Sequence, residues 1–192
     1  MKFNKTVAFL FVFFSFTSIL FAQDVIEIKK PSEGKSLVYF TRSLSVAPLV
    51  NFRIYENDKF IGKISYGDYI LYECDPGEHM FWATSENRDY VETNFEPNKV
   101  YVIDVQGRMG AFIASVNLEP LDPKNFKHKK NFHRALKKHK EVVYNPENVN
   151  SDEKAQNIAD GLARFKKLKD KESDKIKKLY PFMFFQNANK PE

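Results

Sequence analysis

Cysteine is almost missing from this chain: Cys74 is the only one in 192 residues. No intramolecular disulfide can form, and the paired-cysteine spacings of zinc and redox sites are excluded. Stability must therefore come from packing. Glycine is scarce, at 7 residues, and neither a Gly-x-Ser-x-Gly elbow nor a His-Glu-x-x-His helix occurs. Gly34-Lys35-Ser36 imitates the end of a phosphate-binding loop, but Lys29 stands where the first glycine belongs. Beyond the first 22 residues no apolar run reaches the roughly 20 residues of a membrane-spanning helix. Cys74 closes an apolar strand-like run and reads as a buried structural thiol.

What is present begins with a leader. Lys2 and Lys5 form a positive head, Val7 to Phe21 are apolar with small hydroxyl breaks, and Leu20-Phe21-Ala22 ends on a small residue. That is the layout of a secretory signal peptide, cleaved after Ala22, in a periplasmic or secreted protein. An uncleaved anchor is the lesser reading. No cysteine follows the cleavage point, so lipid-anchored maturation is not expected. Residues 23–34 read as a linker.

Charge is unevenly spread. Asp24 to Asp122 holds 10 Lys/Arg against 16 Asp/Glu, whereas Pro123 to Glu192 holds 18 against 9. An acidic body with a basic tail suits a polyanion or membrane surface as partner, or a tail folded back onto its own body.

Residues 35–121 alternate in short runs. Leu37 to Arg42, Phe52 to Glu56, Lys59 to Ser65, Tyr69 to Cys74, Glu78 to Ser85, Val100 to Val105 and Ala111 to Leu118 make about seven strands. Asn57-Asp58, Tyr66-Gly67-Asp68, Asp75-Pro76-Gly77 and Gly107 to Gly110 supply the turns. With no helical period between them, the expectation is mainly β: an antiparallel β-sandwich with a C-terminal helical extension over 122–192.

The order Tyr39-Phe-Thr-Arg42, Phe52 to Gly62, Gly67-Asp-Tyr69, Pro76-Gly-Glu-His79 and Lys99 to Asp104 resembles a bacterial exported β-sandwich family of unknown function. It is also similar to PEGA-type domains, whose strands flank a comparable Pro-Gly-Glu-His turn. The resemblance covers about residues 35–121 and implies a fold but no catalytic residue. Asn57-Asp58 stands where such families usually carry Asp-Gly. Glu78 and His79 are weighed as site residues against a purely structural turn, and the turn is preferred.

In the tail, Asp122-Pro123 predicts a helix start, and Phe132, Ala135, Leu136, His139 and Val143 fall on one helical stripe among lysines. The stripe either packs on the body or lies on an anionic surface. His128 and His139 would be separated by about 16 Å of helix, too far to share a metal, and His133 points elsewhere. Asn145-Pro146 predicts a break. A second helix is expected from Asn150, with Ala155, Ile158, Leu162, Phe165, Ile176 and Leu179 on its seam and Gly161 as a weak point, ending at Pro181. The Phe182 to Phe185 patch is expected to dock on the body, a partner or lipid headgroups.

No catalytic, cofactor-binding or metal-ligating residue is assigned. The preferred expectation is a non-catalytic envelope protein that binds an envelope protein or anionic surface component, with no nucleic acid involved. Edge strands and exposed aromatics such as Tyr55 and Tyr90 would make the contacts. The alternative is a carboxylate-dependent hydrolase acting on envelope glycan or peptide.

Overall fold

The computed structural model describes residues 26–109, 114–143 and 151–191, with backbone alone for 151–154. The leader over 1–22, the Gly110 end of one predicted turn, the Asn145-Pro146 break and the start at Asn150 lie outside the described residues.

The strands are β1 (Ser36–Thr41), β2 (Phe52–Glu56), β3 (Lys59–Ile64), β4 (Asp68–Cys74), β5 (Gly77–Thr84), β6 (Arg88–Phe95), β7 (Val100–Met109), β8 (Ala114–Pro120), β9 (Lys140–Glu141) and β10 (Ile176–Leu179). Two helices accompany them among the described residues, α1 (Phe126–Lys138) and α2 (Ser151–Lys169). One sheet runs β8-β7-β1-β4-β9 and the other β10-β6-β5-β2-β3.

Mainly β is correct; about seven strands, all antiparallel, is not. The strand count rises because Arg88–Phe95 is a strand and because the tail adds β9 and β10. Three pairings are parallel: β1 with β7, β4 with β9, and β6 with β10. The chain gives hairpins alternately to the two sheets, so β7 returns beside β1 in the same direction, and both tail strands arrive along the neighbour they extend.

The two sheets share one core. Val38, Phe40, Ile70, Tyr101, Ile103 and Leu118 from the first sheet meet Phe52, Ile54, Phe81, Val91 and Leu179 from the second. Strand alternation then leaves an outer apolar face on each sheet. On the first, Leu37, Tyr39 and Val102 are covered by Phe132 of α1 together with Phe185 and Ala188. Phe132 stands edge-on to Tyr39, with centroids 5.3 Å apart. On the second, Tyr55, Trp82 and Tyr90 are covered by Ile158, Leu162 and Phe165 of α2. The order of layers is helix, sheet, sheet, helix.

The helix limits differ from expectation. Asn125, not Asp122, caps α1: its side chain accepts from the Lys127 and His128 amides at 2.9 and 3.3 Å. Asp122 instead closes a turn, accepting from the Lys124 amide at 2.8 Å. Helix α1 ends at His139, which is extended, so Val143 lies beyond it and is 92% exposed. Helix α2 stops at Lys169, and Ile176–Leu179 is a strand. A spacing of three reads as one helical face, but in a strand it places Ile176 under α2 and Leu179 in the central core. Both faces of that strand are buried, which is why the pattern misleads.

Candidate functional site

A recess of about 410 Å³ opens where the end of α2 and strand β10 meet the start of β5 and the end of β6. Asn57 from the β2–β3 turn forms one wall, Glu78 and His79 of β5 another, and Glu92, Thr93 and Asn94 of β6 a third. Phe165 and Lys169 of α2 and Lys178 to Pro181 complete it. Asn57 adopts φ 47 at the hairpin, the conformation its short amide side chain tolerates. Its carbonyl accepts from the Trp82 indole at 2.8 Å.

Of the charged groups that line the recess, Glu92, Lys169, Lys178 and His79 are partnered, and Glu78 makes no ion pair among the described residues. Glu92 takes ion pairs from both Lys169 and Lys178. Burial pushes its carboxyl up, but the two lysines outweigh that and hold it below the usual range. Behind the wall, His79 Nδ1 meets Glu56 and Nε2 meets the Asp75 carbonyl at 2.8 Å. Both ring nitrogens face acceptors, so the ring is held as an imidazolium. Its pKa is pushed up to about 10 by the neighbouring Cys74 sulfur and by Glu56, against burial. Glu56 also accepts from the Tyr72 hydroxyl, which in turn accepts from Lys59 Nζ at 3.0 Å. The His79 contact lowers the Glu56 carboxyl, with Tyr72 adding to it against burial. The network ties β2, β4 and β5 across the open end of the two sheets. Thr93 is 7% exposed, lines the recess, and its hydroxyl has no hydrogen-bond partner.

Of the residues singled out by sequence, Glu78 and His79 do reach this recess. Cys74 is only half-buried, at the end of β4. Tyr55 and Tyr90, expected as exposed contacts, are each 1% exposed because α2 lies over them. His128, His133 and His139 face different partners: His128 Nδ1 accepts from the Asp122 amide, His133 Nδ1 faces the Ala188 carbonyl, and His139 packs on Tyr66. Among the described residues no three metal-ligating side chains converge, and no helix is long and apolar enough to cross a membrane. The patch at the C-terminus divides: Phe185 is buried against the first sheet, while Phe182 is 55% exposed and stacked on Tyr180.

Sequence reasoning missed Glu56, Tyr72, Thr93 and the Glu92 lysine pair. Only Glu56 carried a signal. It continues the phase of Phe52 and Ile54, which marks a carboxylate pointing into the core side of the sheet.

No protein-family model matches the chain, and no solved structure matches it. An uncharacterized protein of Haemophilus influenzae is 28% identical over 95 residues, covering 48% of this chain and 56% of that protein. The chain thus spans about half the length of the curated relative it matches.

Proposed function

We propose that this is a non-catalytic protein of the cell envelope, exported by a leader cleaved after Ala22, whose recess beside α2 and β10 holds a polar surface component. The observation that carries this reading is that Glu92 is paired with Lys169 and Lys178 and His79 with Glu56, which leaves Glu78 as a lone carboxylate in the recess lining. A carboxylate-dependent hydrolase needs one carboxyl raised to act as acid, and Glu56 and Glu92 are both lowered. Cys74 lies beside His79 but does not line the recess. Fixed charges beside Asn57, Asn94 and Tyr180 recognise a ligand rather than transform it. The turn pattern, which resembles that of exported β-sandwich domains of the PEGA type, supports the same placement.

The test has two parts. Protein recovered from the envelope fraction is expected to begin at Gln23. Titration of that protein with soluble envelope-glycan fragments and short peptides is expected to shift the amide signals of Thr93, Asn94 and Tyr180, with the added compound recovered intact. Recovery of cleaved compound would favour the hydrolase, and no shift with either class would remove the recess from the account.

A further inference from the structure

A second recess, of about 510 Å³, lies at the other end of the body, between the loop after β1, the β3–β4 turn and the end of α1. Arg134 and Lys138 line it from one face of α1, a single turn apart, and His139, Tyr66, Gly67 and Ser45 complete its rim. No carboxylate lines it. Neither Arg134 nor Lys138 makes an ion pair among the described residues. Asp104 and Asp68 are the acids that act electrostatically on His139. Their hydrogen bonds are made within the body, Asp104 accepting from Thr41, Ser43 and Gln106 and Asp68 from the Ser65 amide, and neither is ion-paired with Arg134 or Lys138.

The loop wall is fixed. Arg42 is fully buried and its guanidinium grips the carbonyls of Val50, Ala47 and Ile64, with its plane over the Phe52 ring at 4.3 Å. The site is therefore a preformed concavity with two cations that have no ion-pair partner among the described residues, a planar fork and a point charge.

We propose that this recess is an anion site that takes a phosphomonoester. Two cations match the nearly double negative charge of that group at neutral pH, and Arg134 can hold two of its oxygens at once. A carboxylate would leave one cation unanswered. The negative end of the α1 dipole opposes any anion here, so the side-chain charges must carry the binding. The apolar stripe of α1 is spent on the first sheet through Phe132 and Leu136, so contact with a lipid surface would be made by headgroups without insertion.

The experiment titrates the mature protein with inorganic phosphate and glycerol phosphate, following amide signals, and measures binding to vesicles of phosphatidylcholine with and without phosphatidic acid. Saturable shifts at Ser45 and Gly67 are expected, weakened at least tenfold in R134Q/K138Q and unchanged in K127Q/K130Q, which removes two exposed charges from the same helix. Binding of the soluble esters alone identifies a free ligand. Added binding to the phosphatidic acid vesicles identifies a headgroup. Equal loss in both double variants, or no saturable shift in the wild type, overturns the site.

Discussion

Gly161 of α2 lies directly against the indole of Trp82: a Cβ built there would stand 2.4 Å from one ring carbon and 2.7 Å from two others. The Tyr90 hydroxyl donates to the Gly161 carbonyl at 2.9 Å beside this contact. The glycine lets the helix backbone approach the sheet, and its absent side chain is the fit.

Intrinsic propensity and packing therefore predict opposite signs for Gly161→Ala. Alanine gains about 1 kcal/mol as a helix former, whereas overpacking against a buried ring costs about 1–3 kcal/mol. We expect net destabilisation, read as a lower urea midpoint. Trp82 is the single tryptophan, so a red shift of its emission would report the lifted helix. A more stable variant with unchanged emission would show that α2 does not rest on Trp82.

This contact also marks where sequence stops informing. The hairpin at Asn57 and the strands that flank it follow from alternation and turn chemistry, and both are local. The apolar stripe of α1 is local too: Phe132 and Leu136 pack on the first sheet and Ala135 is buried, as their spacing predicts. What covers Tyr55 and Tyr90 is a segment some 70 to 100 residues away, and no periodicity announces which sheet face a distant helix will choose. Strand Arg88–Phe95 escaped because Asp89, Glu92 and Asn94 dilute its alternation, although Tyr90 and Val91 are both buried on opposite faces. The recess was half legible. Its turn, Pro76 to His79, is visible, but the Glu56 partner sits 23 positions before His79 and meets it only through strand pairing.

The His79–Glu56 pair should make stability depend on pH at the extremes. The His79 pKa is raised from 6.5 to about 10, so its contribution is complete below about 6.5 and is lost as pH rises through about 10. The Glu56 carboxyl is lowered from 4.5, so its contribution is present above about 4.5 and is lost as pH falls through the depressed value. The imidazole resonance of His79 should then stay flat from about pH 5 to 8. His79→Gln should abolish the alkaline loss and also weaken the acid limb, because the His79 contact is the largest cause of the lowered Glu56 carboxyl. A midpoint near 6.5 for His79 would mean that the ring is not held between Glu56 and Asp75.

Arg42 should be intolerant of shortening. Its guanidinium has no carboxylate partner within ion-pair distance among the described residues, yet it serves several buried carbonyls. Arg42→Met keeps much of the stem and leaves those carbonyls unpaired, at a cost of about 2–4 kcal/mol. Hydrogen exchange in residues 43–50 should accelerate more than in β5. Gly107→Ala presses on the same loop from below, because its Cβ would meet the Val46 carbonyl at 2.5 Å. Unchanged exchange in both variants would place the rigidity of the loop elsewhere.

A chain ending at Leu121 tests whether the tail is an appendage or a part of the fold. Removing it uncovers Leu37, Tyr39 and Val102 on one face and Tyr55, Trp82 and Tyr90 on the other, side chains now at most 5% exposed. It also takes β10 from the edge of β6 and β9 from the edge of β4. Patches of that size, with open strand edges beside them, drive association. The lost tail ion pairs on Glu92 and Asp89 matter less, since exposed pairs are worth about 0–1 kcal/mol each. Residues 23–121 alone are therefore expected to elute as oligomers, bind a hydrophobic dye and melt without a cooperative transition, whereas residues 23–192 melt cooperatively as a monomer. A monomeric, cooperatively melting fragment would mean that the two sheets hold together through their shared core, and that both helices are later additions to it.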